Sequence, residues 1–410
     1  MKPMGPIPPY FTDQRELTIA GRTAADWVAE HGSPLFVYDV GIVAERVARL
    51  RAALPELCEI HFAIKANPLP AMLEAVAPMV GGLDVASGGE LAKALKVKDA
   101  AHISFAGPGK RDAELEAAIV AGATLNLESE GEAERALTIG ARLGIAPRLA
   151  VRVNPDFELR GSGMKMGGRA SPFGVDVARV PALVRRLIDA GADWRGFHIF
   201  AGSQSLDTPA IVETQAATVA LAARLADEIG VTPPLVNLGG GFGIPYFSGD
   251  LPVDVDTVGA ALGEVLAARP ERLADSKFAI ELGRWIVGEC GVYLTTVIDR
   301  KQSGEETFLV CDGGLNHQLA ASGNFGTVVR RNYPVAVAGR MDAEPGDAVS
   351  VVGPLCTPLD RLADRVALPD AGPGDVIAVF LAGAYGASAS PAAFLGHDPA
   401  CEVVAGPAHP

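Results

Sequence analysis

From residue 59 to residue 283 the chain repeats one unit: a short β-rich run followed by a longer Ala-, Leu- and Glu-rich stretch of helical character. The runs are EIHFAIK (59–65), GGLDVAS (81–87), AHISFAG (101–107), ATLNLES (123–129), RLAVRVN (148–154), RGFHIFAG (195–202), PLVNLGG (234–240) and KFAIELG (277–283). Helical stretches separate them at roughly 70–78, 88–97, 111–121, 129–143, 177–190, 209–229 and 254–268. Eight such repeats predict an α/β chain whose parallel strands close into a (β/α)8 TIM barrel. The C-terminal ends of barrel strands share one face. Lys65, Asp84, Arg152, His198, the glycines 239–241, Glu281 and Arg284 all fall at strand ends, so the topology gathers them into one pocket.

Beyond residue 284 the helical stretches largely stop. GVYLTTVID, TFLVCDG, TVVRRNYPVAVA, DAVSVVG, DRVALP and DVIAVFLAG are short, β-branched and broken by Gly or Pro, which predicts a second, mainly antiparallel β domain. The expected organisation is an N-terminal segment 1–35, with a helix at 22–31, packing on the β domain; a barrel over 36–284; and the β domain over 285–410. The 49% apolar content of the 410 residues suits large cores. The formal charge of -14, from 35 basic and 49 acidic residues without basic runs, argues against nucleic acid or a membrane surface as partner. Five scattered cysteines suggest neither a disulfide scaffold nor a cysteine-rich metal site. No signal-like or spanning apolar run is visible, so a cytoplasmic location is expected.

FAIKANPLP (62–70) places a lysine in an apolar run, where a charge is costly unless it is neutralised or used. Either Lys65 snorkels to solvent, or it is chemistry. From periodicity alone the two readings stand level. FAIKAN (62–67), DVASGGE (84–90), HIFAGSQ (198–204), GGGFGIPY (239–246), ELGR (281–284), GPLCTPLD (353–360) and GAYG (383–386), in this order, resemble the fold-type III pyridoxal-phosphate (PLP) decarboxylases of the diaminopimelate, ornithine and arginine decarboxylase family. The resemblance spans roughly residues 30–395 and implies an alanine-racemase-like barrel with an added β domain.

It also implies roles. Lys65 would carry PLP through an imine and exchange it for the substrate amine, a reaction that needs a neutral amine. Glu281 would face the pyridine nitrogen, His198 would stack on the ring, and Arg152 would approach the phenolic oxygen. Ser203, Gly240, Gly241, Gly283, Arg284 and Tyr385 match phosphate-binding positions, and Asp84 matches a residue near the lysine. Cys356 matches a cysteine, contributed by the partner subunit of a homodimer, that protonates the substrate carbon after CO₂ loss; a thiol with the ordinary pKa of about 8.5 still holds its proton at neutral pH. Asp312 and Asp360 are candidates for substrate contact. No metal is implied.

The substrate pattern departs from the best-known members. Diaminopimelate decarboxylases place a glutamate after the cysteine, where this chain has Thr357, and an arginine where NHQLAA (316–321) has Ala320. ASGNFG (321–326) lacks the aspartate of ornithine and lysine decarboxylases. The neutral stretch is similar to branches acting on amino acids held by acyl-carrier proteins and to exopolysaccharide-associated, exosortase-system decarboxylases. The resemblance therefore implies decarboxylation of an amino acid or an aminoacyl group on a carrier protein in a specialised pathway. The alternatives are a diaminopimelate-, ornithine- or lysine-type decarboxylase of free amino acids, and an alanine-racemase-like racemase.

Overall fold

The computed structural model describes residues 1–161, 163–165, 170–323 and 331–406, and the chain divides into two compact units. One comprises Arg46–Gly243 and Pro252–Gly283; the other comprises Met1–Glu45, Ile244–Leu251 and Arg284–Pro410. No described helix is long and apolar enough to cross a membrane.

The first unit is a closed barrel of eight parallel strands: β1 (Cys58–Ala63), β2 (Gly82–Val85), β3 (Ile103–Phe105), β4 (Thr124–Leu127), β5 (Arg148–Asn154), β6 (Asp193–Ile199), β7 (Leu235–Gly240) and β8 (Lys277–Leu282). They pair in chain order, and β8 closes the ring on β1 with Glu281 opposite His61. Helices occupy the crossovers, from Pro70–Val76 to the long Thr208–Ile229 and Val255–Ala267.

Two of the crossover helices start with one local device. In DVASGGE the Ser87 hydroxyl accepts from the Glu90 amide while the Glu90 carboxylate accepts from the Ala86 amide; in NLESEGE, Ser129, Glu132 and Glu128 repeat it. Each glutamate satisfies an amide just before the helix and places negative charge near its positive end. A further helix, Val40–Ala53, was not expected from the sequence.

Close strand approach explains one glycine of GGGF. A Cβ on Gly240 would lie 2.2 Å from the Glu281 carbonyl oxygen and 2.7 Å from Leu282 Cδ2. Gly240→Ala must push β7 from β8, and is expected to cost about 1–3 kcal/mol, read as a lower urea midpoint at unchanged slope.

The second unit is built around β9 (Gly291–Ser303), a strand paired along its length with β10 (Glu306–Cys311), β14 (Val376–Val379) and Leu35–Asp39, all antiparallel. β11 (Val335–Val337) joins β14, and β12 (Ala348–Val352) pairs with β13 (Arg361–Ala367), again antiparallel. Two pairings are parallel: β10 with β12, and Leu35–Asp39 with Cys401–Ala405. The helix expected at 22–31 is Ala24–His31, capped by Thr23.

Candidate active site

β1 ends two residues earlier than its apolar run suggested. Ile64–Ala66 form a tight turn closed by the Asn67 amide on the Ile64 carbonyl (3.0 Å), and Asn67 Oδ1 then accepts from the Leu69 amide. Pro68 lacks the amide a continuing strand needs. Lys65 is therefore on the turn at the C-terminal end of β1, and its side chain remains 44% exposed. Gly283 makes room for this turn, since a Cβ there would lie 2.8 Å from Ala66 Cβ and 2.9 Å from the Ala63 carbonyl.

Lys65 Nζ stands 3.6 Å from Glu281 Oε1 and 5.6 Å from the centre of the Phe200 ring. Glu281 is buried, and its other oxygen is 2.9 Å from His198 Nε2, which is buried too. Burial alone would raise the Glu281 pKa; Lys65, then His198 and Arg152, outweigh it and hold the carboxyl below its usual range. Three of the expected residues thus form one contiguous cluster.

Arg152 is buried on β5 and donates from Nη1 to Glu128 Oε1 (2.8 Å), with its guanidinium 5.1 Å from the Phe173 ring centre. Glu128 was not singled out from the sequence, although it precedes the serine of the second repeat of the capping device. Its other oxygen accepts from the Gly174 amide at 3.1 Å. Behind it Lys110 is buried and donates to Glu132 Oε1 (2.6 Å) and to the Asn126 carbonyl (2.9 Å). Asp84 is buried on β2, with neither oxygen hydrogen-bonded among the described residues.

The glycine turn follows β7. Gly239 and Gly241 have φ of 66° and 76°, where side chains are strained. The Ser205 amide donates to the Gly241 carbonyl at 2.9 Å, which ties the turn to the segment carrying Ser203.

In the second unit Arg284 lies between two tyrosines, its guanidinium 4.6 Å from the Tyr385 ring centre and 5.3 Å from that of Tyr246. Nη1 donates to the Tyr246 hydroxyl (2.7 Å), and the buried Nε has no hydrogen-bond partner among the described residues. Tyr246 ends the GGGFGIPY motif but was given no role from sequence. Cys356 is exposed in a loop. Asp360 is buried and spends its oxygens on the amides of Leu315 (2.6 Å) and Leu355 (2.8 Å), ordering that loop. Asp312 Oδ1 accepts from the Thr295 hydroxyl and the Thr296 amide. Residues 324–326 of ASGNFG lie outside the described residues. Among the described residues, no group of three or more His, Cys, Asp or Glu is placed to hold a metal ion.

The barrel's donor set fits PLP: it supplies an amine beside a buried carboxylate and an imidazole whose Nδ1 is buried without a hydrogen bond, together with a glycine turn of positive φ.

The comparisons agree with that chemistry. Residues 40–288 match the family of the pyridoxal-dependent decarboxylase, pyridoxal binding domain. The chain is 34% identical over 382 residues to the L-glutamyl-[BtrI acyl-carrier protein] decarboxylase of Niallia circulans, covering 91% of this chain and 88% of that protein. It is 32% identical over 383 residues to the diaminopimelate decarboxylase of Archaeoglobus fulgidus (92% and 89% covered). Among solved structures, Helicobacter pylori diaminopimelate decarboxylase complexed with L-lysine superposes with a TM-score of 0.82 at 26% identity, over 93% of both chains. With its barrel, its lysine and these relatives, the chain belongs to the fold-type III PLP-dependent decarboxylases and is an enzyme of that family.

Proposed function

We propose that this decarboxylase acts on a free α-amino acid of the diaminopimelate, ornithine or lysine kind, with Lys65, Glu281 and His198 at its centre. The observation that carries the reading is the Lys65 amine 3.6 Å from a buried Glu281 that is itself paired with His198. When bound, PLP supplies the sink for the electron pair of the breaking Cα–CO₂ bond. Lys65 would be its point of attachment. Glu281, held ionised by its neighbours, would face the ring nitrogen and favour its protonated form. His198 orients that carboxylate and would cover one side of the group. Arg152, fixed by Glu128, would bring positive charge to the phenolic oxygen, and Asp84, opposite Ala63 in register, is assigned to the surroundings of the lysine.

Ser203 and the amides of Gly240, Gly241 and Gly283 on the barrel would bind the phosphate, and Arg284 and Tyr385 are assigned to the same group by the family positions they match. The Cys356 thiol returns a proton to the substrate carbon from the neighbouring copy of a homodimer; its exposure on a loop held rigid by Asp360 supports that role. Asp312 and Asp360 are assigned to the distal end of the substrate, Asp360 through the loop it orders. The expected limits, a barrel over 36–284 and a β domain over 285–410 with 1–35 joined to the latter, are kept as a proposal, although by contacts 36–45 and 244–251 group with the β unit.

A carrier-bound aminoacyl substrate is the second reading. It is favoured by Thr357 and Ala320, which leave no charged partner where a free distal carboxylate would sit, and by the Niallia circulans relative. The exopolysaccharide pathway gains no support from the relatives described above.

PLP-loaded protein given diaminopimelate, ornithine, lysine and aminoacyl-carrier proteins is expected to release CO₂ from a free amino acid, followed by mass. Release from carriers alone would replace the first reading by the second. Racemisation without CO₂ would overturn both. Cys356→Ala should lower turnover roughly 100-fold or more, and mixing it with inactive Lys65→Ala should restore part of the activity if sites are shared between copies.

A further inference from the structure

The barrel interior holds a buried imidazole, His61, that the chemistry above does not use. His61, on β1, is 5% exposed, and its imidazole lies against Gly82 of β2. A Cβ on Gly82 would come within 2.7 Å of Nε2, 2.8 Å of Cε1 and 2.9 Å of Cδ2, so only glycine leaves room for the ring. Nδ1 stands 3.4 Å from Asp84 Oδ2, and Nε2 stands 3.8 Å from Glu59 Oε2.

Asp84 is 6% exposed and makes no hydrogen bond through either oxygen among the described residues. A carboxylate buried in this way is costly unless a cation faces it. His61 is the group that does so. Burial disfavours the imidazolium, but the carboxylates of Asp84 and then Glu59 outweigh it and push His61 up to about 9.

Register connects the pair to the reacting end. Glu281 on β8 is opposite His61, and Asp84 is opposite Ala63, two residues before Lys65. On the other side, Glu59 and His61 line a cavity of about 140 Å³ with His102, Asn126, Arg195 and Lys277. The charged groups facing His61 are thus Asp84 and Glu59, with Lys277 and His102 acting on Glu59.

We propose that His61, seated on Gly82 and facing Asp84, is a positioning residue that sets the charge of the barrel interior behind Lys65 and Glu281, and so tunes the proton affinity at Lys65. The inference rests on the PLP-decarboxylase reading for its meaning but is measured without turnover. With His61 cationic, the Asp84 charge is cancelled. With His61 neutral or replaced, that negative charge is felt at Lys65 and favours the protonated form there.

The test is a pH titration, from pH 6 to 10, of the visible absorbance of PLP bound at Lys65, with no substrate present. His61→Asn is expected to raise the midpoint by about one unit, a tenfold change in proton affinity. His61→Asn with Asp84→Asn, which removes both charges, should return it toward the wild-type value and also controls for packing. Urea midpoints supply a second readout. A histidine raised to about 9 stabilises the fold fully below its ordinary pKa of 6.5 and loses that contribution as pH rises through about 9. The wild-type midpoint should fall over that window and that of His61→Asn should not. An unchanged absorbance midpoint in His61→Asn, or a shift that the double variant does not reverse, overturns the proposal. Failure of the decarboxylase reading would appear separately, as normal titrations without CO₂ release.

Discussion

Lys65→Ala is expected to fold, to lose the visible absorbance of lysine-bound PLP, and to lose turnover by more than about 1000-fold. The side chain is 44% exposed on a turn, so its removal opens no core cavity and stability should change little. Chemistry is what it removes. Without the amine there is no nucleophile for the cofactor aldehyde and no cation beside Glu281, whose carboxyl would then rise toward its ordinary range under burial, with His198 as its remaining close partner. Lys65→Arg separates these effects: it restores a positive charge near Glu281 but offers a guanidinium that is never neutral near pH 7. Both variants should lack the absorbance band, while only Lys65→Ala should release Glu281. A Lys65→Ala protein that keeps both band and turnover would remove Lys65 from the mechanism.

The barrel was readable because its signal is local and repeated: each strand and each following helix carries its own pattern, and the parallel order follows from the helical crossovers. Lys65, His198 and Glu281 were singled out by the motifs FAIKAN, HIFAGSQ and ELGR rather than by strand-end position alone, and the fold brings the three together. Long-range pairing was less visible. Leu35–Asp39 looks like any apolar strand, and nothing local shows that it joins Gly291–Leu294 on one side and Cys401–Ala405 on the other. Ile244–Leu251 follows the glycine turn without a break in composition, yet its contacts belong to the β unit. Val40–Ala53 has no acidic first turn to announce it. Among the site residues, Glu128 and Lys110 were missed because their partners are 24 and 22 residues away in sequence, and an isolated lysine in AGPGK reads as a loop charge. Asp360 was singled out as a candidate for substrate contact, but its bond to the Leu315 amide, 45 residues away, leaves no local trace.

Lys110→Met should be among the most destabilising single changes in the barrel, at about 3–5 kcal/mol, measured from urea unfolding at pH 7. The Lys110 and Glu132 side chains are 1% and 2% exposed, and their 2.6 Å pair is completed by the Asn126 carbonyl at 2.9 Å. Burial lowers the lysine pKa and Glu132 opposes it. Methionine fills the same stem but leaves the Glu132 carboxylate uncompensated in a low-dielectric interior, and that residual charge accounts for most of the loss. Adding Glu132→Gln removes the charge while an amide oxygen can still accept from the Glu128 amide, so the double variant should regain at least about half of the lost stability. Because Glu132 holds the Glu128 backbone and Glu128 holds Arg152, the single variant should also weaken PLP binding when stability is restored by a lower temperature. A double variant no more stable than Lys110→Met would mean that the lysine acts through packing, and that the charge chain from Lys110 to Arg152 does not hold the site.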